Sequence, residues 1–296
     1  MQKKLIVVLG PTAVGKTEYS LNLAESLKTE IISCDSRQFY KEMVIGTAAP
    51  GEEERKRVPH HFVGQLSIHD YYSCGKFELD ALAKCEELFQ THDTIIMTGG
   101  SMLYIDAICK GIDDVPNIDE ELRASLWERY DNEGVEPLRQ ELMILDPAYY
   151  DTIDKKNAKR IIHALEICLQ TGKPYSSIRQ NTKKERPFAI EKIGIFRPRE
   201  ELYERINLRV DKMFEEGLEA EARRLYPYRS LNALNTVGYK ELFRHFDGEW
   251  TLEHAQQIIK QNTRHYAKKQ MTWFKKDDEI RWIDAKDTNS LSVNAI

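Results

Sequence analysis

The stretch Gly10-Pro11-Thr12-Ala13-Val14-Gly15-Lys16-Thr17 constrains this chain more than any other, because it matches the phosphate-loop pattern GxxxxGK[ST]. It also has the context that pattern needs. The run Lys4-Leu5-Ile6-Val7-Val8-Leu9 before it is continuously aliphatic and β-branched, which predicts a strand buried on both faces. Lys16 to Leu27 after it places Tyr19, Leu23, Ala24 and Leu27 at helical spacing. A glycine-rich turn between strand and helix lets backbone N–H groups converge on phosphate oxygens, with the helix N-terminus adding positive potential. Lys16 supplies a point charge, and Thr17 supplies a hydroxyl for a Mg²⁺ ion that the phosphates also hold.

Further short apolar runs alternate with helical patterns. Glu30 to Cys34 and Thr94 to Thr98 read as strands, with a helix over Leu79 to Phe89 between them. Such alternation implies crossover units and a parallel sheet. From about Asp119 the texture turns helical, over Asp119 to Tyr130, Val135 to Leu145 and Asn157 to Gln170, until a strand at Phe188 to Phe196. Helices at Glu200 to Glu215, Glu219 to Leu225, Tyr239 to His245 and Leu252 to Trp273 follow, then a short strand at Ile280 to Ile283 and a polar tail. The expected architecture is α/β, a P-loop NTPase-like parallel sheet core flanked by helices, with a helical insertion domain. Residues 1–114 and 187–296 form the core and 115–186 the insertion, with junctions near Gly111-Ile112-Asp113 and Thr182 to Pro187.

Composition narrows the setting. No apolar run approaches the roughly 20 residues of a membrane span, and the abrupt start Met1-Gln2-Lys3-Lys4 does not resemble a signal peptide. Five cysteines, Cys34, Cys74, Cys85, Cys109 and Cys168, have no CxxC spacing, which points to a reducing cytoplasm and away from disulfides or structural zinc. The net charge of −5 argues against indiscriminate polyanion binding, but a global sum does not locate charge.

An ordinary phosphate-loop hydrolase has a strand ending in an acidic residue that orients Mg²⁺. Here the strand at Thr94 to Thr98 ends in Gly99-Gly100-Ser101, and the carboxylate nearest the loop is Asp35, after the second strand. Strand ends of a parallel sheet line one crevice, so Asp35 and Ser101 are expected to face whatever the loop holds. Asp35 is a candidate general base or magnesium-shell group; a helix cap is its bland alternative.

The phosphate loop followed by Asp35-Ser36-Arg37-Gln38-Phe39-Tyr40, Ile45-Gly46-Thr47-Ala48, Pro59-His60-His61 and Tyr72-Ser73 resembles the tRNA dimethylallyltransferase (isopentenyltransferase) family, bacterial type. Gly99-Gly100-Ser101-Met102-Leu103-Tyr104 and Lys159-Arg160-Ile161-Ile162-His163-Ala164-Leu165-Glu166 continue the similarity. So do Arg205-Ile206-Asn207-Leu208-Arg209-Val210-Asp211, Val237-Gly238-Tyr239-Lys240-Glu241 and Tyr266-Ala267-Lys268-Lys269-Gln270-Met271-Thr272-Trp273-Phe274. The resemblance implies transfer of a dimethylallyl group from dimethylallyl diphosphate to N6 of the adenosine 3′ of the anticodon, position 37, in tRNAs reading codons that begin with U. It implies Asp35 as the base, Arg209 on the diphosphate, and Thr12 near its bridging oxygen, with Gly10 to Thr17 holding the donor. It also implies tRNA contacts by Asp35, Ser36, Arg37, Gln38, Ser101, Arg123, Lys159, Arg160, Ile161, Ile162 and His163. Further tRNA contacts would come from Asn235, Thr236, Val237, Gly238, Tyr239 and Lys240, then Lys268, Lys269, Gln270, Thr272 and Lys275. A cytoplasmic monomer is expected.

The residues carry this chemistry independently. An adenine amine is delocalised into its ring and needs a base as its new bond forms, and a diphosphate leaving group needs the charge that the loop, Lys16 and Mg²⁺ would supply. Arg209 shares its helix with Ile206 and Val210, which mark the buried face, so a solvated ion pair is its alternative role. Ile153 to Lys192 carries an excess of +6 in basic residues, and Lys260 to Lys276 has six basic residues and no carboxylate. Both are candidate RNA faces. The insertion would clamp RNA around an extruded base, with Arg160, Arg123 and Gln38 as wedges or readers. One or two of Tyr40, Tyr104, Tyr266, Trp273 and Phe274 would offer stacking faces.

The sequence departs from the family in three places. Ser101 replaces a usual threonine, His163 a common arginine, and the zinc finger of eukaryotic relatives is absent. His60, His61 and His69 lack further ligands at metal spacing and read as structural. Two rival readings are a small-molecule or nucleoside kinase, which leaves the basic segments unused, and a non-catalytic RNA-binding module, which leaves Asp35 idle.

Overall fold

The protein is described by a computed structural model covering residues 2–113, 119–179 and 183–287. Within these, the chain divides into two compact units, one of residues up to Cys109 and from Glu185 onward, the other of Lys110–Lys184. The junction expected at 114/115, Thr182, and the polar tail after residue 287 lie outside the described residues.

The larger unit begins β1 (Lys4–Leu9), α1 (Lys16–Leu27), β2 (Ile31–Ser33), α2 (Glu52–Arg57), β3 (His60–His61), α3 (Cys74–Leu88), β4 (Thr94–Gly99) and α4 (Met102–Lys110). The second unit holds α5 (Glu120–Glu133), α6 (Val135–Leu145), α7 (Pro147–Thr152), α8 (Ala158–Thr171) and α9 (Tyr175–Ile178). The larger unit resumes with β5 (Ala189–Phe196), α10 (Arg199–Glu215), α11 (Leu218–Leu225), α12 (Tyr239–Phe246), α13 (Leu252–Phe274) and β6 (Ile280–Asp284).

The strands form one parallel sheet in the order β3-β2-β4-β1-β5-β6. Alternation along β1 shows why its sequence is apolar throughout. Leu5, Val7 and Leu9 pack on one face with Phe39, Phe77 and Ile105; Ile6 and Val8 pack on the other with Leu21, Leu23 and Ile206. A third cluster joins Met43, Val210, Leu218, Tyr239 and Ile259. The helical unit has its own core around Leu126, Leu138, Leu142, Ile161, Ile162 and Leu165.

Local chemistry sets the ends of these elements. Ser73 accepts from the Lys76 N–H at 3.1 Å, so α3 starts at Cys74, five residues before its apolar stripe suggests. Asn157 caps α8 in the same way, and Gly172, at φ +65°, ends it. Two elements of the core have no periodic signature: helix α2 reads Glu-Glu-Glu-Arg-Lys-Arg and buries nothing, and β3 has two residues. Helix α4, which follows directly on Gly99-Gly100-Ser101, buries Ile105, Ile108 and Cys109 at helical spacing. None of the five cysteines is bonded to another, and no helix among the described residues is long and apolar enough to cross a membrane.

The basic segments shrink once folded. Arg186 is an internal group, donating to Glu78 at 2.6 Å and to the Ile108 and Ala107 carbonyls. Lys192, only 5% exposed on β5, is held by Asp277 and Glu279 at 2.8 and 2.7 Å. Lys260 pairs with Asp211 and Arg264 donates to Asn207. These four cations serve the fold, because their partners were distant in sequence and invisible to a local charge count.

Candidate active site

The loop between β1 and α1 is braced by cations. The Lys16 Nζ donates to the Gly10 and Pro11 carbonyls at 2.9 and 2.8 Å. Arg205 Nε donates to the Ala13 carbonyl and Arg197 Nε to that of Val14, each at 2.9 Å. Turning carbonyls toward these groups holds the loop in a conformation in which Ala13 takes φ +63°, sparsely populated for a residue with a Cβ. Gly15, at φ +113° just before α1, needs the freedom that only glycine has. Arg197 and Arg205 lie more than 180 residues from the carbonyls they hold, so local sequence does not mark them as loop braces. For Arg205 the available signal was its i,i+4 spacing from Arg209 on α10.

Beside the loop lies a cleft of about 500 Å³ at the C-terminal ends of β1, β2 and β4. Its lining includes Thr12, Lys16, Thr17, Asp35, Gln38, Thr98, Gly99, Gly100, Arg205, Arg209, Tyr266 and Gln270. Lys16 is desolvated there. Burial, helped by the Arg209 charge and opposed by Asp35 and Cys34, brings its ammonium down to about 8. Arg209 is lowered by its own burial against the attraction of Asp35. No described carboxylate forms an ion pair with it, so the solvated pair that sequence left open is not its state.

Asp35 follows β2 without starting a helix. Its Oδ1 accepts the Arg37 N–H at 2.9 Å, closing a turn that presents the rest of the segment. Ser101 Oγ accepts the Ser36 N–H at 2.8 Å and lies 3.2 Å from Ser36 Oγ, tying the end of β4 to this turn. Gln38 accepts from Ser33 Oγ and donates to the Thr47 and Ala48 carbonyls. The missing acid at the end of β4 has a steric cause: a Cβ on Gly99 would lie 2.7 Å from the Cys34 carbonyl oxygen, so no side chain fits.

Several residues that the resemblance places against tRNA have buried side chains. Ile161 and Ile162 are 0% and 1% exposed in the core of the helical unit. Tyr239 is fully buried, and its hydroxyl donates to Glu221 at 2.7 Å. Glu221 also accepts the N–H groups of Val44, Ile45 and Gly46, so Tyr239 helps hold the loop that contributes Thr47 and Ala48 to the cleft. Gly238 is buried and its N–H donates to Glu241. Gln270, 1% exposed, donates to the Gly100 carbonyl and accepts the Thr12 N–H. These contacts reflect helical periodicity: successive residues point in different directions around the helix axis, so one short motif has both buried and exposed members.

Others of the set lie on surfaces. Lys159 and Arg160 are exposed in the first turn of α8. Arg123 is clamped by the buried Glu166, with Nε at 2.8 Å, and His163 Nδ1 lies 3.4 Å from the same carboxylate. Asn235 and Lys240 are exposed, with Thr236 and Val237 partly so. Arg37 reaches the Asn232 carbonyl at 3.0 Å. On α13, Lys268, Lys269, Thr272 and Trp273 line a second groove with Met102, His265 and Lys276, and Lys275 is exposed. Of the five candidate stacking rings, Tyr40 and Phe274 are buried and Tyr104 packs on Phe39 and Phe77. Tyr266 faces the cleft and Trp273 the groove. His60 turns to the Val58 carbonyl and His61 to Glu30, and no described group of three or more His, Cys, Asp or Glu side chains could hold a metal.

Comparison with known proteins agrees with this geometry. Residues 38–277 match the family model described as IPP transferase. The chain is 60% identical over 283 residues to tRNA dimethylallyltransferase 1 of Phocaeicola vulgatus, covering 96% of this chain and 94% of that one. It is likewise 60% identical over 281 residues to tRNA dimethylallyltransferase 1 of Bacteroides fragilis, covering 95% and 93%. Among solved structures, the tRNA isopentenylpyrophosphate transferase of Bacillus halodurans superposes with a TM-score of 0.69 at 36% identity, over 98% of this chain and 94% of that one. A eukaryotic dimethylallyltransferase acting on tRNA superposes with a TM-score of 0.80 at 26% identity, over 99% of this chain and 76% of its own. The match over residues 38–277, together with 60% identity along nearly the whole chain to two tRNA dimethylallyltransferases, places the chain in the IPP transferase family.

Proposed function

We propose that the protein transfers the dimethylallyl group of dimethylallyl diphosphate to N6 of adenosine 37, 3′ of the anticodon, in tRNAs reading codons that begin with U, acting as a cytoplasmic monomer. The observation that carries this reading is the cleft itself, where Lys16, Thr17 and Arg209 meet Asp35. The diphosphate rests on the loop N–H groups, Lys16 and Arg209. Asp35 accepts a proton from the adenine amine as its nitrogen bonds to C1 of the dimethylallyl group. The C1–O bond breaks, and its electrons leave with the diphosphate, whose growing charge the loop, Lys16 and Arg209 stabilise. No water or hydroxyl has to be aligned on a phosphorus atom, so the acid that hydrolases carry at the end of this strand has no task here.

Thr17 and Asp35 both line the cleft and offer hard oxygen donors of the kind Mg²⁺ takes. Thr17 would hold Mg²⁺, which when bound adds charge stabilisation on the diphosphate. For the RNA, Arg37, Gln38 and Ser101 border the base, Lys268, Lys269, Thr272 and Lys275 meet the backbone, and Lys159, Arg160 and Arg123 serve from the helical unit. An adenine stacked in a loop must be extruded to reach Asp35.

The test is incubation with dimethylallyl diphosphate, Mg²⁺ and unmodified tRNA, followed by nucleoside mass analysis. N6-dimethylallyladenosine is expected. Its absence together with ATP turnover would establish a kinase instead.

A further inference from the structure

We propose that Gln270 is a positioning residue that locks the donor-holding loop to the base-facing turn, rather than a contact to RNA. This inference rests on the reading of the cleft as a prenyl-transfer site. The carboxamide of Gln270 makes two bonds in opposite directions. Its Oε1 accepts the Thr12 N–H at 2.9 Å, and its Nε2 donates to the Gly100 carbonyl at 2.8 Å. Thr12 belongs to the phosphate loop; Gly100 precedes Ser101, which holds the Asp35 turn through Ser36.

One helical turn earlier on the same face of α13, Tyr266 lines the same cleft. Gln270 itself therefore stitches together two segments nearly ninety residues apart in the chain, one holding the leaving group and the other the base. An amide is the group this requires, because it offers an acceptor and a donor on one planar head. Gly100 is the matching half: a Cβ there would collide with Gln270 Nε2. Prenyl transfer needs C1 of the donor aligned with an incoming nitrogen, and misplacement of reacting groups by about 1 Å can cost as much as a hundredfold in rate.

Two variants test the assignment in the full-length protein. Gln270→Leu keeps the volume and removes both bonds. Its maximal rate is expected to fall by about tenfold or more, its affinity for inorganic diphosphate to fall with it, and its tRNA affinity to stay within about twofold. Gln270→Glu keeps the acceptor for Thr12 but, when ionised, sets a carboxylate against the Gly100 carbonyl. Protonation restores a donor, so the ratio of its rate to wild type should climb as pH drops from about 8 to about 5.5. Unchanged rate and diphosphate affinity in the leucine variant, or a loss confined to tRNA affinity, would overturn the proposal. Should that variant not fold, a flat ratio across pH in the glutamate variant overturns it equally. Diphosphate affinity is read without any prenyl transfer, so a wild type that binds diphosphate yet makes no product would count against the proposed reaction and not against the brace.

Discussion

Lys16 should make donor binding weaken as pH rises through the range where most lysines are still fully charged. Its ammonium sits at about 8 because burial removes water and Arg209 adds a like charge, with Asp35 and Cys34 only partly offsetting them. A bound diphosphate demands the charged form. Affinity should then scale with the protonated fraction of the free protein, about nine-tenths at pH 7, one-half at pH 8 and one-tenth at pH 9. The loss from pH 7 to pH 9 is about tenfold, or about 1.4 kcal/mol. A lysine at its ordinary value would leave affinity nearly flat over this window. Calorimetric titration with dimethylallyl diphosphate and Mg²⁺, without tRNA, measures it directly, and repeating it in buffers of different ionisation heat counts protons. About half a proton should be taken up per site at pH 8. Lys16→Arg controls for titration of the ligand, since a guanidinium stays charged throughout. Arg209→Gln should move the break upward, because it removes the second-largest cause of the shift, although affinity falls overall. Flat wild-type affinity between pH 7 and 9, with no proton uptake at pH 8, would refute the picture of a desolvated Lys16.

Three further outcomes follow from the same geometry. Asp35→Ala should lower the single-turnover rate by about 10²- to 10⁴-fold while tRNA affinity stays within a few-fold; an unchanged rate would remove Asp35 from the chemistry. Replacing Lys268 and Lys269 with alanine should weaken tRNA binding and flatten its dependence on salt, lowering the slope of log affinity against log salt by about 0.7–0.9 per lysine, as read by filter binding across a salt series. Arg186→Leu should destabilise the fold by about 3–5 kcal/mol, since it breaks a buried ion pair with Glu78 and removes the donor to the Ile108 and Ala107 carbonyls; chemical denaturation that shows under 1 kcal/mol would contradict this.

What could be read along the chain was whatever local pattern expresses. The uniform apolarity of β1 announces a strand covered on both sides, and the glycine spacing after it announces a phosphate loop, because backbone conformation at Gly15 and convergence of N–H groups are properties of adjacent residues. The larger helices were legible for the same reason: an apolar stripe repeats every three or four residues whatever it packs against. Asp35 was legible because a parallel sheet sends the ends of its strands to one edge. Elements that escaped, such as α2, charged all round, and β3, of two residues, depend for their existence on their neighbours.

Tertiary structure decided the roles. Gln270, Tyr239, Ile161 and Ile162 sit inside motifs that resemblance places against RNA, yet all four are buried, because a helix turns its successive residues through every direction and only packing says which way is out. Arg186 and Lys192 count as free positive charge along the sequence and are buried beside carboxylates in space. Part of what brings Lys16 to about 8 is the charge of Arg209, which α10 carries to the loop from far along the chain. Burial, pairing and charge coupling depend on distances in space, and two residues nearly two hundred positions apart reveal nothing of one another until the fold brings them together.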